Sequence, residues 1–474
     1  MEIKIALPKG RLLRKTASLL QKADWGLDEY HSKMSFYHPK SQRFPSLRIR
    51  VFHEKDIPIQ VAMGNYDLGI CGLDWIEELL AKYPSSALVK IKNLAYGGGV
   101  LYMAASLYQS ALGTEPVKTN SGVTRIASEY PNLAELFALR SRLSRFSVFP
   151  LWGAAEVYPP ENADMVLISA KTKAELDSYD MVPLSNVLDI SAFIIANRNS
   201  WESKSLDEVV TSICDKLPEA EPKAHPRGEV SQAGTSRQYA VEEASGHTVR
   251  LALPDGHQQQ PTISLLNRCG IQVDDYPSDT GNRRPGINLD GVSVKVIRPQ
   301  DMPLQVANGN FDLAVSGKDW LAEHLDQFPS SPVKELLDLK FGRVRIVAVV
   351  SKDLPVEDTQ GLQQLIAGRA EPFRVASEYR NIADKYAREN HLGHYRVIPT
   401  WGATEAFVPE DADMLIENTE TGRTIARHNL KIIDTLFEST ACLIGNTGDM
   451  SGSVKGKRVD SIVKRMQAAV EGVD

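Results

Sequence analysis

Residues 56–70 read DIPIQVAMGNYDLGI, and residues 301–315 repeat them as DMPLQVANGNFDLAV. The agreement continues upstream, because residues 3–8, IKIALP, return at 249–254 as VRLALP. Two shorter matches follow downstream in the same order, ASEY at 127–130 and 376–379, and WGA at 152–154 and 401–403. A period of this length exceeds that of solenoid repeats, so each copy should fold as its own unit. The sequence therefore predicts a tandem duplication.

The duplication divides the 474-residue chain into three parts. We predict a first copy over residues 1–216 and a second copy over residues 247–474. The intervening residues 217–246 are rich in Pro, Glu, Ala, Ser and Gly and show no apolar periodicity, which is typical of a flexible linker. Such a linker would let the copies pair within one chain or exchange between two chains.

Within each copy, short β-branched runs alternate with stretches of helical spacing. In the first copy we predict strands at Leu47–Phe52, Leu68–Cys71, Arg125–Ala127 and Ser147–Phe149, and helices at Asp56–Met63, at Leu73–Lys82 and from about Pro131. This alternation indicates an α/β fold with helices on both faces of its sheets. The pattern leaves open whether a copy is one large sheet or two smaller lobes.

The composition excludes several classes of protein. With 42% hydrophobic and 24% charged residues the chain is globular, and a net charge of -6 gives no overall field that attracts nucleic acid. The cysteines have no CxxC or zinc-ligand spacing, so we expect reduced thiols: Cys71, Cys214, Cys269 and Cys442. The N-terminus does not resemble a signal peptide, and no apolar run approaches the ~20 residues of a membrane helix. We therefore expect a cytoplasmic protein.

A basic loop, LPKGRL at residues 7–12, leaves a predicted strand and enters a helix. Lys9 and Arg11 flank Gly10 at the C-terminal end of the strand, where ligands of open α/β sheets bind, and two cations suit an anionic ligand. A solvated basic turn is the alternative interpretation. In the second copy the segment reads LPDGH at 253–257, which loses one cation and reverses the other.

A second loop, ENTETGRT at residues 417–424, follows the predicted strand Met414–Ile416. Small hydroxyl residues around a glycine at a helix start suit a phosphate, and the upstream acid Glu417 could hold ribose hydroxyls. A plain helix N-cap by threonine is an equally good interpretation. The first copy reads ISAKTKAE at 168–175, where the acid, the glycine and the second threonine are gone.

Three further features have structural interpretations. Asp74 follows a buried strand that ends at Gly72, and a helix N-cap is its favoured role. The second copy has FGRV where the first has Tyr96–Gly99, so the fold needs at most one of these glycines. Glu156 and Glu405 correspond to each other, and we expect structural or ligand-orienting roles for them. No arrangement of Ser, His and Cys suggests a nucleophilic triad, and none suggests a metal site.

In their order along the chain, these motifs resemble those of the ATP phosphoribosyltransferase family, which opens histidine biosynthesis. The resemblance covers nearly all of both copies and ends with STACLI at residues 439–444. Each copy is similar to the catalytic core of the short form, without the C-terminal regulatory domain of the long form. The resemblance implies two tandem copies of a two-lobed unit like type II periplasmic binding proteins, with the active site in a cleft.

The resemblance also implies the reaction and its residues. N1 of ATP would attack C1′ of phosphoribosyl pyrophosphate and release pyrophosphate, with Mg²⁺ required, a reaction that needs charge neutralisation and close orientation. The residues that would bind the 5′-phosphate are Thr421, Gly422, Arg423 and Thr424. The candidate catalytic residues are Lys9 and Arg11, for the pyrophosphate or the ATP phosphates, and Glu417, for the ribose hydroxyls where the family usually has Asp. Candidate nucleotide-binding residues are Gly10, Gly72, Asp74 and Arg298.

The departures from the family pattern are complementary. The first copy keeps the basic loop and lacks the phosphate loop, whereas the second copy does the opposite. In one hypothesis the intact loops of the two copies form one composite site in a pseudo-dimer. In the other, the second copy binds phosphoribosyl pyrophosphate imperfectly and the first is a scaffold. The division is not clean, because Arg298 matches a family arginine where the first copy has His53.

The leading hypothesis is an active transferase that uses ATP and phosphoribosyl pyrophosphate. The alternative is a catalytically silent, nucleotide-sensing or regulatory subunit, which the degenerate loops favour and the intact phosphate loop opposes. A solute-binding protein of the same fold is disfavoured by the same loop and by the expected absence of a signal peptide. The need for a separate activating subunit, inhibition by histidine and formation of a homo-oligomer stay open.

Overall fold

A computed structural model describes residues 2–32, 34, 37–107, 122–217, 247–279, 281–402, 404–446 and 453–472. The predicted linker, apart from its first residue, lies outside the described residues. Among the helices that are described, none is long and apolar enough to cross a membrane.

Strands and helices alternate through the first copy. Its strands are β1 Ile3–Lys9, β2 Leu47–His53, β3 Leu68–Gly72, β4 Leu88–Asn93, β5 Gly99–Ser106, β6 Thr124–Ser128, β7 Phe146–Pro150, β8 Met165–Ala170, β9 Met181–Ile190 and β10 Ala192–Asn197. Its helices are α1 Leu13–Lys22, α2 Ile57–Ala62, α3 Leu73–Lys82, α4 Pro131–Arg140, α5 Lys173–Ser178, α6 Arg198–Ser203 and α7 Asp207–Cys214.

The second copy repeats the order of the strands. Its strands are β11 Val249–Pro254, β12 Val292–Ile297, β13 Leu313–Gly317, β14 Val333–Asp338, β15 Val344–Ser351, β16 Phe373–Ser377, β17 Tyr395–Pro399, β18 Met414–Thr419, β19 Leu430–Ser439 and β20 Ala441–Asn446. Its helices are α8 Gln259–Arg268, α9 Met302–Ala307, α10 Lys318–Gln327, α11 Thr359–Ile366, α12 Arg380–Glu389, α13 Arg423–Arg427 and α14 Val454–Glu471.

Each copy is built from two five-stranded sheets, which define two lobes. In the first copy the strand order is β2-β1-β3-β10-β4 in lobe I and β7-β6-β8-β5-β9 in lobe II. The second copy has the same topology, β12-β11-β13-β20-β14 in lobe I and β17-β16-β18-β15-β19 in lobe II. The chain crosses between lobes twice in each copy, because β10 and β20 return to lobe I and run antiparallel to β3 and β13. The two-lobed alternative, left open by periodicity, is therefore the observed one.

The two copies pack lobe against lobe across two junctions. We call the contact of lobe I of the first copy with lobe II of the second copy the first junction, and the reciprocal contact the second junction. At the first junction, Phe52 and Phe407 belong to one continuous core and their ring centroids lie 5.0 Å apart. At the second junction, Phe311 shares a core with Val157 and Tyr158. The shared cores make the chain an intramolecular pseudo-dimer.

Equivalent ion pairs lie at the two junctions. Arg50, opposite Ala6 on β1, is buried and pairs with Glu410 of the other copy. Lys295, which lies opposite Ala252 in the same register, pairs with Glu161 at 2.8 Å. A cation on the second strand of each lobe I therefore meets an acid of the opposite lobe II. This correspondence supports a pseudo-twofold relation between the copies.

The expected fold class, two tandem two-lobed α/β units, is confirmed. The helix expected at Leu73–Lys82 has those bounds, and each predicted strand of the first copy lies inside an observed one. Gly97 and its counterpart Gly342 both have a positive φ, of +70° and +64°, which agrees with the expectation that the fold needs at most one glycine of Tyr96–Gly99. The free cysteines make no disulfide among the described residues.

Candidate active site

The phosphate-loop segment of the second copy is a turn between β18 and α13. The hydroxyl of Thr419, at the end of β18, accepts a hydrogen bond from the Gly422 amide at 2.9 Å, and Gly422 takes φ of +72° as the residue before the helix. Thr421, Arg423 and Thr424 are exposed. This bond closes the turn, whereas the helix itself has no side-chain cap at Gly422. The side chains of Thr421, Arg423 and Thr424 therefore lie at the surface of the turn.

Three carboxylates lie behind this turn. Burial, then the neighbouring Glu405 and Glu378, raise the pKa of Glu417 well above its ordinary value. One carboxylate oxygen of Glu417 is buried and accepts no hydrogen bond from any described residue. Burial and Glu405 also raise the pKa of Glu378 to about 7. The predicted ribose-binding acid therefore belongs to a cluster that is poorly neutralised by its surroundings.

The basic loop of the first copy meets this lobe at the first junction. Lys9, the last residue of β1, donates a hydrogen bond to the Tyr37 hydroxyl at 2.7 Å, and its ammonium lies 4.6 Å from the centroid of that ring. The Tyr37 ring stacks on His428 of the second copy, with centroids 5.6 Å apart. His428 directly follows α13, and its Nε2 lies 4.0 Å from Glu405. Lys9 and the turn at residues 419–424 thus line the same junction, joined through Tyr37 and His428.

His53 lies beside Lys9 in the sheet, at the end of β2. Burial, and then the positive charges of Lys55 and Lys9, lower the pKa of His53 to about 4. The imidazole is therefore neutral at physiological pH and adds no charge to the junction. Gly10, which follows Lys9, has φ of +91°, a left-handed conformation that glycine adopts without strain.

Arg11 is held inside the first copy. Its guanidinium lies 2.9 Å from Glu54 and 2.6 Å from Asp74, and Asp74 also accepts a hydrogen bond from the Tyr130 hydroxyl at 2.8 Å. The helix N-cap interpretation of Asp74 is wrong, because Gly72 occupies the cap position and Asp74 is fully buried in this ion pair. A Cβ on Gly72 would collide with the Asp74 carboxylate and with the Arg11 guanidinium.

Arg298 lies at the other junction. Its guanidinium is 3.1 Å from Asp255, and its side chain lies over Gly153 of the first copy. The structure therefore groups Lys9 and Gly10 with the second copy's phosphate turn, assigns Arg11, Gly72 and Asp74 to an internal ion pair, and places Arg298 at the second junction.

The two copies differ in how their own lobes are joined. In the first copy Lys55 of lobe I pairs with Glu129 of lobe II at 2.8 Å, and its ammonium lies 4.7 Å from the centroid of the Trp75 ring. In the second copy the corresponding positions are Gln300 and Glu378. The cation that neutralises Glu129 is thus replaced by an amide, which leaves the Glu378 carboxyl with its raised pKa.

Sequence reasoning did not single out Tyr37, His428 or Glu378 as site residues. Tyr37 lies in a loop where the copies differ, and the corresponding residue of the second copy is Arg283. Both residues accept, through their carbonyl groups, a hydrogen bond from the second strand of lobe I. An alignment of the copies that tolerated gaps in this loop would have shown the Tyr-to-Arg difference. The contact of Tyr37 with His428 depends on packing between copies, which the repeat alone does not reveal.

Comparison with known sequences gives one consistent result. The sequence model of the ATP phosphoribosyltransferase family, HisG, matches residues 53–219 and 298–468. The ATP phosphoribosyltransferase of Chlorobaculum parvum is 30% identical over 231 residues, which is 48% of this chain and 73% of that relative. The ATP phosphoribosyltransferase of Desulfatibacillum aliphaticivorans is 31% identical over 229 residues, which is 47% of this chain and 73% of that relative.

Solved structures with a similar fold align with about half of this chain. The ATP phosphoribosyl transferase (HisG:HisZ) complex from Thermotoga maritima is similar at 21% identity with a TM-score of 0.39, covering 48% of this chain and 100% of the matched chain. The arginine-bound form of truncated ArgBP from T. maritima is similar at 12% identity with a TM-score of 0.30, covering 49% and 98%.

Proposed function

The chain belongs to the ATP phosphoribosyltransferase family, a family of glycosyltransferases in histidine biosynthesis, and we propose that it transfers phosphoribosyl from phosphoribosyl pyrophosphate to N1 of ATP. Pyrophosphate is the leaving group. The proposal places one composite site at the first junction. There the basic loop of the first copy and the phosphate turn of the second copy, each the intact version of its motif, lie on the two sides of one contact.

The observation that carries the proposal is the path from Lys9 through Tyr37 to His428. The second of these contacts crosses between copies, and it leads from the end of β1 to the residue that follows α13. The degenerate loops, at residues 168–175 and 253–257, belong to the lobes of the second junction. Had the motifs decayed independently of packing, intact loops would have no reason to share a junction.

The chemistry assigned to this site is positioning and charge neutralisation. Thr421, Gly422, Arg423 and Thr424 would bind the 5′-phosphate, and Glu417 would hold the ribose hydroxyls. As the bond between N1 and C1′ forms, the bond from C1′ to the pyrophosphate oxygen breaks, and negative charge collects on pyrophosphate. A fixed cation such as Lys9 stabilises that charge more in the transition state than in the ground state. Arg11 enters the proposal only as the residue that shapes this loop, because Glu54 and Asp74 already neutralise it.

Magnesium has no protein site in this proposal. Within the part of the chain that the structure describes, no group of three or more His, Cys, Asp or Glu side chains is arranged to hold a metal ion. We therefore propose that Mg²⁺ enters bound to the phosphoribosyl pyrophosphate.

The test is pyrophosphate release by the purified chain with ATP, phosphoribosyl pyrophosphate and Mg²⁺, with the nucleotide product followed by absorbance. We expect turnover by the wild type and its loss in both Lys9→Ala and Thr424→Ala. An unaffected Lys9→Ala variant would refute the composite site. Turnover by the chain alone would also exclude an obligatory activating subunit.

A catalytically silent, nucleotide-sensing subunit is the competing function, and the internal pairing of Arg11 favours it. In that case the wild type would bind phosphoribosyl pyrophosphate without turnover. Equilibrium binding of phosphoribosyl pyrophosphate, measured on the same preparations as the activity, separates the two functions.

A further inference from the structure

The second junction has the framework of the first but carries different charges at the corresponding positions. Asp255 directly follows β11 at the place where Lys9 ends β1. Arg283 takes the place of Tyr37, since the carbonyls of both accept a hydrogen bond from the equivalent valine of the neighbouring strand, at 2.9 and 3.0 Å. Asp255 thus replaces Lys9, a residue that would attract anions, and Arg283 adds a positive charge beside it.

These exchanged residues bind one another. The Asp255 carboxylate lies 2.7 Å from a guanidinium nitrogen of Arg283 and 3.1 Å from one of Arg298. Asp255 is 9% exposed, so its charge is largely removed from water and depends on these two cations. Arg283 also lies 3.4 Å from Glu156, which belongs to lobe II of the first copy. One carboxylate therefore sits between two arginines at a contact between copies.

At the second junction, side chains of the protein itself occupy the space in which a ligand would bind. Arg298 lies over Gly153, where a Cβ would be 3.0 Å from its Nε, so the glycine allows this close approach. A cavity of about 140 Å³ remains next to the cluster, with Glu129, Glu156 and Ser169 among its lining residues. Lys55 neutralises the first of these acids and Arg283 the second. The charges that face this cleft are thus balanced within the protein.

We infer that the second junction is a latent oxyanion site in which the Asp255 carboxylate takes the place of a phosphate or pyrophosphate group. Two guanidinium groups around one carboxylate are the arrangement with which proteins bind phosphate and carboxylate ligands. The chain would accordingly bind phosphoribosyl pyrophosphate at one site, the first junction. This inference rests on the proposed function, because it treats the equivalent first junction as the site of an anionic substrate.

Neutralising Asp255 should open the latent site. In Asp255→Asn the side chain keeps its shape, but Arg298 loses the carboxylate to which it donates a hydrogen bond, and Arg283 keeps its contact with Glu156. An added oxyanion would then restore the charge balance. Asp290→Asn is the matched control, because Asp290 is exposed on the same lobe and the variant makes the same change of net charge.

Calorimetric titration with inorganic pyrophosphate tests the inference, with Lys9→Ala as a common background, because Lys9 is the residue proposed to bind pyrophosphate at the first junction. We expect no saturable binding in that background with Asp255 or with Asp290→Asn. We expect one pyrophosphate per chain to bind after Asp255→Asn, with a Kd at least about tenfold below the weakest affinity that the titration detects. Adding Arg298→Gln to Asp255→Asn should abolish the gain. Circular dichroism and thermal unfolding verify that each variant is folded.

Several results would overturn the inference. Asp255→Asn without a new pyrophosphate site would show that Asp255 fills no anion site, and so would a gain that Arg298→Gln does not reverse. Should Asp255→Asn not fold, the wild type remains informative, since two phosphoribosyl pyrophosphate molecules per chain would also contradict the inference. A wild type that binds none, together with a gain in Asp255→Asn, would refute the proposed function and leave the latent site standing.

Discussion

Replacing Tyr66 by phenylalanine should weaken the first junction by removing one hydrogen bond. The Tyr66 hydroxyl donates to Asp411 of the other copy at 2.7 Å, and both residues are buried, at 2% and 1% exposure. At the second junction the equivalent residues are Phe311 and Asn162, and the Asn162 amide donates instead to the Asn310 carbonyl at 2.9 Å. The corresponding positions therefore hold different pairs at the two junctions: Tyr66 with Asp411 at the first, and Phe311 with Asn162 at the second.

The magnitude follows from what Tyr66→Phe leaves behind. A buried acceptor that loses its donor costs roughly 1–3 kcal/mol, with charged groups at the upper end. Burial raises the pKa of Asp411 to about 6, which means that the charged form of this carboxyl is already destabilised in the folded chain. The double variant Tyr66→Phe/Asp411→Asn reproduces the residue pair of the second junction. We expect it to recover at least about 1 kcal/mol of the loss, a coupling of ordinary size for contacting residues.

The sign of the pH dependence provides a further check. The folded pKa of Asp411 lies above its unfolded value of about 4, so the folded chain binds the proton more tightly. Its contribution to the free energy of unfolding is therefore most favourable below about pH 4 and declines as the pH rises through about 6. Tyr66→Phe should cost most above pH 6, where the carboxylate is charged, and less at pH 5. In an Asp411→Asn background, the effect of Tyr66→Phe should no longer depend on pH in this range.

Urea unfolding followed by tryptophan fluorescence measures these free energies, with Tyr83→Phe as the control because Tyr83 is 51% exposed. We expect the control to stay within about 0.5 kcal/mol of the wild type. A Tyr66→Phe variant as stable as this control would refute the reasoning. So would a double variant whose loss equals the sum of the two single losses.

Two further predictions concern the cleft of the second copy and the crossing between lobes. Because burial and Glu405 raise the pKa of Glu378 to about 7, its carboxyl becomes negative as the pH rises through that value, and affinity for anionic phosphoribosyl pyrophosphate should fall. Titrations across this range should show the fall flattened in Glu378→Gln but retained in Glu129→Gln, whose acid is paired with Lys55. Gly97→Ala should lower the free energy of unfolding by roughly 2–4 kcal/mol, because φ is +70° and the new Cβ would meet Leu12. Gly342→Ala, with φ of +64° and open space around it, should cost only about 1–2 kcal/mol, and denaturant unfolding compares the two.

Local features were predictable from the sequence because they depend on neighbouring residues. The repeat predicted two copies of one unit, and the spacing of apolar residues predicted helix α3 with its observed bounds. The phosphate turn was also visible, since a glycine between threonines after a buried strand has few structural outcomes. These predictions concern segments whose conformation is decided within about ten residues.

Contacts between distant segments were not predictable in this way. The sequence predicted that Asp74 caps a helix. Instead, the residue is buried and contacts Arg11 and Tyr130, which lie far from it in the sequence. The sequence also predicted that Arg11 binds phosphates, but it did not show that Glu54 and Asp74 neutralise the Arg11 side chain. The pairing of each lobe I with the lobe II of the other copy has no local signature at all. It follows from buried surfaces such as those of Phe52 and Phe407, which only the folded chain brings together.

The composite site is tested most directly by kcat/KM for phosphoribosyl pyrophosphate in three variants measured side by side. Lys9→Ala alters the first copy, Thr421→Ala alters the second, and Thr172→Ala alters the first-copy counterpart of Thr421. Thr172 makes no side-chain capping bond at the start of α5, so the control should not disturb its lobe. We predict that Lys9→Ala and Thr421→Ala each lower kcat/KM by about 100-fold or more, whereas Thr172→Ala stays within about twofold of the wild type. Wild-type activity in Lys9→Ala, or equal losses in Thr172→Ala and Thr421→Ala, would contradict a site shared between the copies.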